Sequence, residues 1–378
     1  MARESIDGLI ARLPVNRYYV SNYAGASAVA QVDDNGGYWV VLPRDPQAPA
    51  ALIVPESELQ DLAAEQERGR GTWIDNVCSY GDTLHDTASG DVAGTLIPAL
   101  KSAGLDAAHC ATDDPRTAGW LTAHGSERVR MSYRPELFNE IRLVKSAAEI
   151  ESLKQAAHAN EMGLLLAFDS MAAASTPEEL ENFYMMTMAQ QGGRGVQLHV
   201  AQGGPAVAAV GSHHPVSLAA LGTWRHYHAS IGRTAAVGEP DRAHRKTHAH
   251  LLAGWETASE QLQPGVSYRE VSQAIGATVR SAGLKNFCDP RVHSIGLEPV
   301  DDPRPFGAAP RMLQETDVTL EPDMVVTVAM FHDLSHDMSH AETGVGAFRL
   351  EDTVRITTYG HERLSKSDFT MLVSDTTA

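Results

Sequence analysis

The ten residues RHYHASIGRT (225–234) decide how the rest of this chain is interpreted. An aromatic residue between histidines, followed by Ser, Arg and Thr, is typical of a strand that crosses a site. His226 and His228 flank Tyr227, and side chains two apart on a strand point to one face, so the two histidines are predicted to lie side by side. A neutral imidazole can act as a general acid, a general base or a metal ligand near pH 7. The stretch contains no carboxylate, which leaves open a metal site, a metal-free site or an inactive one.

The composition around this stretch is that of an acidic globular protein. The chain has 378 residues and a formal net charge of −18, so nucleic acid and an anionic membrane surface are not expected partners. Its three cysteines are far apart in sequence, which argues against disulfides and a cysteine-based zinc site. No apolar run has the roughly 20 residues of a membrane span, and the N-terminus does not resemble a signal peptide. We therefore expect a cytoplasmic protein with a small-molecule substrate.

Hydrophobic periodicity divides the chain in two. The first part contains short apolar runs between turn residues, which predict strands in a layered α/β unit, at 18–26, 38–43 and 50–55. From about residue 140 the pattern becomes helical, with Ser146 and Glu149 spaced as a capping box. Two further helices are predicted at 241–262 and 267–283, followed by strands. We place the domain boundary between 142 and 143, which gives domains 1–142 and 143–378.

Six pieces of the second domain, in order, resemble the pita-bread family of creatinase, prolidase, aminopeptidase P and methionine aminopeptidase. They are RLVKSAAEIESLKQAA (142–157), YHASIGRT (227–234), the segment EPDRAHRKTHAHLLAGWETASEQLQPGVSYREV (239–271), VHSIGLE (292–298), LEPDMVVTVAM (320–330) and FRLEDTVRIT (348–357). The resemblance implies an α/β (α+β) protein, with an N-terminal creatinase-like α/β domain before a C-terminal pita-bread catalytic domain. It also implies a homodimer.

The metallopeptidases of that family hold two metal ions with two Asp, one His and two Glu. Carried onto this sequence in that order, the five ligands fall on Ala219, Ser230, His293, Ala329 and Glu351. Three of the five ligands are therefore missing: two positions hold alanine, which offers no lone pair, and one holds serine. The resemblance therefore implies that the dinuclear peptidase centre is absent, and we predict no metal ligands and no cofactor.

Creatinase, a metal-free member of the family, offers a different comparison. VHSIG around His293 is similar to its Gly-His-Ser-Phe-Gly, and Arg304 lies where creatinase has a carboxylate-binding arginine. Strict spacing puts its catalytic histidine near Gln202. A small gap would move that role to His199, and a shortened loop would move it to His213, so the register stays open.

The leading hypothesis is a metal-independent, creatinase-like enzyme that cleaves a C–N or related bond of a small carboxylated molecule. His293, with His226 or His228, would shuttle protons. Glu351 would orient the acting histidine. Arg304 would hold an anion. The full candidate catalytic set is His293, His228, His226, Glu351, His332 and His213, and the candidate substrate-binding set is Arg304, Tyr227 and Ser230.

A second histidine cluster, FHDLSHDMSHAE (331–342), supplies His332, His336 and His340. It predicts either a solvated polar loop or a metal-binding face, with His332 placed nearest the chemistry. Two alternatives follow. One is a lyase or hydrolase with a rearranged, histidine-bound divalent metal, as in dimethylsulfoniopropionate lyases of this family. The other is a non-catalytic module, as in histone-chaperone relatives.

Overall fold

The protein is described by a computed structural model, which divides it into two compact units, Met1–Phe138 and Asn139–Ala378. The sequence places the boundary between 142 and 143, a few residues later. The structure describes residues 1, 5–25, 37–81, 92–171, 176–202, 214–303, 317–334 and 346–374.

The first unit is built on a six-stranded mixed sheet in the order β4-β3-β2-β1-β5-β6. Its strands are β1 (Gly8–Ala11), β2 (Trp39–Pro43), β3 (Ala51–Pro55), β4 (Asn76–Tyr80), β5 (His109–Thr112) and β6 (Arg130–Tyr133). Its helices are α1 (Pro14–Ser21), α2 (Leu59–Glu67), α3 (Val92–Ser102), α4 (Thr117–Ala123) and α5 (Pro135–Leu143), which runs on into the second unit. Apolar side chains alternate to both faces of the sheet and are buried on each.

One predicted strand of this unit is wrong. The run 18–26 was expected to be extended, but its first residues end helix α1. Pro14 occupies the first turn, and the Asp113 carboxylate accepts hydrogen bonds from the backbone N–H groups of Arg12 and Leu13 at 2.8 and 3.0 Å. A partner about a hundred residues away thus fixes the backbone just before the helix, and the alternation of nearby residues does not indicate it.

The second unit contains an eight-stranded sheet, in which the six strands along the path β10-β11-β12-β9-β8-β7 are antiparallel and β14 pairs with β9 in parallel. These strands are β7 (Arg194–Ala201), β8 (Val216–Trp224), β9 (Tyr227–Val237), β10 (Arg291–Ser294), β11 (Val325–Asp333) and β12 (Ala347–Thr357). Two short strands complete the sheet: β13 (Gly360–Arg363) on β12 and β14 (Leu372–Ser374) on β9.

Four helices cover one face of this sheet: α6 (Ala147–Asp169), α7 (Pro177–Gln190), α8 (Arg242–Gln261) and α9 (Tyr268–Ala282). Capping boxes start α6 at Ser146, α7 at Thr176 and α9 at Ser267. Helices α6 and α7 pack on apolar residues of β8 and β9, and α8 and α9 on those of β11 and β12. The last two closely match the predicted helices at 241–262 and 267–283, because their caps are local signals.

Along each strand, the side chains that pack against the helices alternate with side chains that point to the opposite side of the sheet. We call this opposite side the site face. Register defines one row across it: His199, Ala219, Gly232, Glu351, Ala329 and Arg291. In the next row Leu221 is opposite Ser230, and Thr353, Thr327 and His293 follow in register on β12, β11 and β10. All five positions that the family resemblance singles out therefore lie in two adjacent rows of one face.

Candidate functional site

Three hydroxyl side chains occupy the middle of the site face. Ser230 Oγ lies 3.0 Å from Thr327 Oγ1, although β12 runs between their strands. Thr353 on that strand donates to the Ser230 carbonyl at 2.9 Å and accepts from the Ser230 N–H at 3.0 Å. All three residues are buried. Strands two apart in a flat sheet are separated by about 9–10 Å, so the short bond shows that the sheet curves towards this face.

Glu351 is engaged by an arginine two residues before it on β12. Arg349 Nε donates to Glu351 Oε2 at 2.6 Å, and the carboxylate side chain is almost fully buried. A Cβ on Gly232 would lie 2.9 Å from both Arg349 Cδ and Glu351 Cβ. Glycine at 232 thus leaves room for the two side chains to cross β9. The prediction that Glu351 orients a histidine is corrected, since the partner shown here is Arg349.

His293 on β10 lies in register with Thr327, on the site face, and is half-buried. Its Nδ1 lies 3.0 Å from the Ser294 carbonyl, and because a carbonyl can only accept, Nδ1 carries the proton in this bond. Nε2 is then the lone-pair nitrogen of the neutral ring. Burial raises the pKa of the neighbouring Asp302 carboxyl, while the Ser294 N–H and His293 act in the opposite direction.

His228 is a second imidazole of the site face that the structure holds in a defined tautomer. Its backbone N–H and its Nδ1 both meet the Gly296 carbonyl, at 2.7 and 3.2 Å. Nδ1 therefore donates, and Nε2 is again the basic atom. Burial lowers the pKa of this histidine, so the neutral form is favoured.

His226 is not on the strand, contrary to the prediction. Trp224 pairs with Tyr227, so Arg225 and His226 form a two-residue hairpin turn with φ of 45° and 69°. Two consecutive positive φ values are those of a type I′ turn, whose twist suits a hairpin. Asn and Gly are the usual residues there, which is why the sequence did not indicate a turn. His226 and His228 therefore do not share a strand face.

Two more predicted residues lie on the far side of the sheet. On β9, Tyr227 points to the side opposite His228. It therefore lies on the same face as Ile231, which belongs to the core packed against the helices. His332 has the parity of Met330 in that core, and its ring lies 6.4 Å from the Phe287 ring. The prediction that His332 lies nearest the chemistry is thus corrected by strand alternation.

The remaining predicted residues lie outside the described residues. These are His213, Arg304, and the His336 and His340 members of the second cluster. Conversely, Arg349, Thr327, Thr353 and Asp302 were missed. Counting by two along β12 from Glu351 and along β11 from Ala329 would have found the first three.

A buried ionic network fixes the loop that follows β10. The Arg142 guanidinium donates to Asp301 Oδ1 at 2.6 Å and to Glu298 Oε2 at 2.6 Å. Lys145 Nζ donates to Ser294 Oγ at 3.2 Å and lies 3.6 Å from Asp301 Oδ2. Because this loop supplies the Gly296 carbonyl to His228, the network positions β10 and β9 relative to each other.

Arg233 provides a second buried anchor behind the site face. Its guanidinium donates to the Glu351 carbonyl at 2.8 Å and to Asp352 Oδ2 at 3.2 Å, and it stacks on Phe369. The side chain is fully buried. It therefore fixes the backbone of Glu351 rather than reaching the site.

The side chains at the five implied metal-ligand positions do not fit a dinuclear centre. Two are alanine, Ser230 Oγ is hydrogen-bonded to Thr327, and Glu351 is paired with Arg349. Within the described ranges, no three His, Cys, Asp or Glu side chains come close enough to hold a metal ion. Of the five, His293 Nε2 and Glu351 Oε1 are the ligand atoms that no described residue engages.

Comparisons with known protein families place the fold. Residues 134–358 match the metallopeptidase family M24, and residues 1–117 match the creatinase/prolidase N-terminal domain. The match to M24 covers more than half of the chain, so the protein belongs to this family. The predicted pita-bread fold with an N-terminal creatinase-like domain is confirmed.

Individual relatives are distant but span the whole chain. An Xaa-Pro dipeptidase of Pyrococcus furiosus is 23% identical over 98% of this chain and 97% of its own length. The X-Pro aminopeptidase of Thermotoga maritima has the same fold, with a TM-score of 0.75 and 20% identity over 97% of each chain. A prolidase structure from Pyrococcus furiosus gives a TM-score of 0.71 at 19% identity, over 97% of this chain and 98% of that one.

No helix among the described residues is both long enough and apolar enough to cross a membrane. The family assignment supports the prediction of a hydrolase, at the level of the family.

Proposed function

We propose that this protein is a metal-independent hydrolase that cleaves a C–N bond in a small carboxylated molecule. The observation that carries the proposal is the replacement of the family's ligand set by side chains that bind one another. Ser230 is hydrogen-bonded to Thr327, and Glu351 is paired with Arg349, within a sheet whose fold is that of family M24. Hydrolysis on this scaffold then depends on imidazole.

His293 is the proposed acid and base. Its Nδ1–H donates to the Ser294 carbonyl, so Nε2 can accept a proton from water. The water oxygen adds to the carbon, the C–N bond breaks, and the proton on Nε2 passes to the leaving nitrogen. His228, whose Nε2 is freed in the same way by the Gly296 carbonyl, is the second candidate for proton transfer.

The names of the relatives suggest which substrates to try first. Xaa-Pro dipeptides carry a C–N bond to proline and a free carboxylate, as the proposal requires. N-substituted glycines of the creatine type share both features and lack a peptide bond. The two compound classes therefore separate a peptidase from a creatinase-like enzyme.

The test joins metal analysis to turnover. The full chain is dialysed against chelators, its metal content is measured, and release of amine from both compound classes is followed. We expect substoichiometric metal, unchanged turnover after chelation, and a loss of about 10²–10⁴-fold in His293→Ala. His158→Ala, an exposed histidine on α6, is the matched control.

Three results would contradict the proposal. Stoichiometric metal with chelator-sensitive turnover would instead support a rearranged histidine site. Turnover that His293→Ala leaves unchanged would remove the proposed acid and base. No turnover in either compound class would favour a non-catalytic protein.

A further inference from the structure

Arg349 lies in a space that the sheet has opened for it. Glycine at 232 on the neighbouring strand removes a Cβ that would lie within 2.9–3.0 Å of the Arg349 Cδ and Cγ. The arginine side chain is 24% exposed, and its backbone is fixed by Thr234, which exchanges hydrogen bonds with the Arg349 N–H and carbonyl at 3.0 and 3.2 Å. The residue is thus held firmly while its guanidinium remains accessible.

Among the described residues, Glu351 is the only hydrogen-bond partner of that guanidinium, and it uses one edge. Nε donates to Glu351 Oε2, whereas the two Nη groups make no hydrogen bond to any described residue. Guanidinium is planar and offers five donors in a fixed fork, which suits the two oxygens of a carboxylate. Glu351 therefore acts as an orienting partner, and it leaves the Nη edge for a ligand.

The charges around Arg349 favour an anion. The site face of β7, β10 and β12 carries His199, Arg291 and His293 in addition to Arg349. Among the described residues of β7 to β12, the carboxylates on this face are Glu351, which is already paired, and Asp333 at the end of β11. The family's metal-binding positions, which would be rich in carboxylate, hold a single paired one here.

An apolar surface lies beside this cation. Phe331 is the register partner of Arg349, its ring centroid is 6.0 Å from the guanidinium carbon, and it is 40% exposed. An exposed aromatic side chain lies here next to an arginine whose Nη groups have no hydrogen-bond partner among the described residues. This arrangement suits a ligand with an apolar body and an anionic end.

We propose that Arg349 binds the carboxylate of a small organic acid, whose apolar part rests on Phe331. This inference rests on the proposed function, because it names the group that holds the substrate's carboxylate. Arg304, predicted for that role from the sequence, lies outside the described residues, and Arg349 fills the role from a defined position two residues from Glu351.

The test measures binding alone, so it can fail separately from catalysis. Benzoate and its neutral isostere benzamide are titrated into the full chain by calorimetry. We expect the wild type to bind benzoate, to bind benzamide much more weakly, and Arg349→Gln to lose at least about 10-fold in benzoate affinity. Phe331→Ala should weaken both probes.

Two further variants keep the result decisive. Glu351→Gln removes the competing carboxylate and should tighten benzoate binding by roughly 2- to 5-fold. The double variant Arg349→Gln, Glu351→Gln leaves no unpaired charge, so it should fold and still fail to bind. Arg355→Gln is the control, since Arg355 on the same strand is already paired with Asp323.

Equal binding of benzoate and benzamide, no benzoate binding by the wild type, or full affinity in Arg349→Gln would each overturn the assignment. Benzoate binding that depends on Arg349, without turnover of any substrate, would support the anion site and contradict the proposed hydrolase.

Discussion

Ser230 and Thr327 form a 3.0 Å hydrogen bond between hydroxyl groups on strands that are not neighbours. In the family resemblance, position 230 holds a metal-binding aspartate. Here its side chain is buried and has a protein partner, so the sheet is held together at this point by hydroxyl groups. The arrangement predicts how the protein responds when the bond is broken.

Thr327→Val should destabilise the protein by about 1–3 kcal/mol, because it leaves the buried Ser230 Oγ without its partner. Ser230→Ala, Thr327→Val together should cost less than the sum of the single changes. Denaturant unfolding measures the free energies, with Thr223→Val on the same hairpin as the control. Additive costs would show that the bond contributes nothing.

Restoring the missing ligands should restore metal binding. The triple variant Ala219→Asp, Ser230→Asp, Ala329→Glu places carboxylates in two adjacent rows beside His293 and Glu351, on the side of the sheet that curves inward. We expect it to bind Mn²⁺ or Co²⁺ after dialysis, with the wild type binding none. Adding His293→Ala to the triple variant should reduce the metal content, and equal metal in all three proteins would contradict the ligand assignment.

The buried pair of Arg233 and Asp352 should be sensitive to loss of one partner. Arg233→Met leaves the Asp352 carboxylate buried without its main cation, and we expect a cost of about 3–5 kcal/mol. Arg245→Gln removes an exposed pair with Glu239 and should cost about 1 kcal/mol or less. Similar unfolding energies for the two variants would show that burial does not set the difference.

Acid should weaken the attachment of α8 to the C-terminal segment. His248 Nε2 donates to the Phe369 carbonyl at 2.8 Å, its buried Nδ1 has no hydrogen-bond partner among the described residues, and burial lowers the pKa of the ring. Above the unfolded-state pKa of about 6.5 the histidine is neutral in both states, and its bond contributes its full stabilisation of the fold. As the pH falls below that pKa, the unfolded state takes up a proton more readily than the folded state, so the stabilisation is lost.

The measurement compares unfolding of the wild type and His248→Gln at about pH 7.5 and about pH 5.5, on either side of that value. Glutamine can donate to the same carbonyl and does not titrate. We expect the variant to lose less stability than the wild type on acidification. An identical loss would assign the pH dependence to other groups, such as His228 and His361, whose pKa values are also lowered by burial.

Gly296→Ala should disturb the loop after β10. The added Cβ would lie 2.3 Å from Asp301 Oδ2, within the buried network of Arg142. We expect a loss of about 1–3 kcal/mol and a changed environment of the His228 ring, which NMR of the imidazole would report. Gly119→Ala, on an open part of α4, should be neutral or stabilising.

Much of the fold could be predicted because its signals are local. The capping box at Ser146 and the order of the six family-like segments indicated the helices and the pita-bread arrangement. The loss of metal ligands at Ala219 and Ala329 was also visible in the sequence, since an alanine side chain has no lone pair with which to bind a metal ion in any fold. Helix α1 was not predicted because Asp113, which holds the backbone before its first turn, is distant in sequence.

Which side chains meet at the site depends on how the strands are paired, and no single segment of the sequence specifies that pairing. Alternation within β9 suggested that His226 and His228 act together, but the turn at 225–226 separates them. His332 was predicted to lie near the chemistry because it follows Ala329 closely in sequence. Its position on β11, two residues after Met330, instead places its side chain on the face that packs against the helices. Counting along β12 could have placed Arg349 on the site face, but the space that Gly232 leaves for it became visible only when β12 was paired with β9.

By itself, the sequence determined the family, the two-part organisation and the residues that stand at the five positions the resemblance implies, because these depend on which residues are present and in what order. Only the tertiary structure decided what replaces that set. Curvature of the sheet brings Ser230 to Thr327, and the missing Cβ of Gly232 lets Arg349 lie against Glu351. Such contacts join strands far apart in the chain, and their geometry exists only once the sheet has formed.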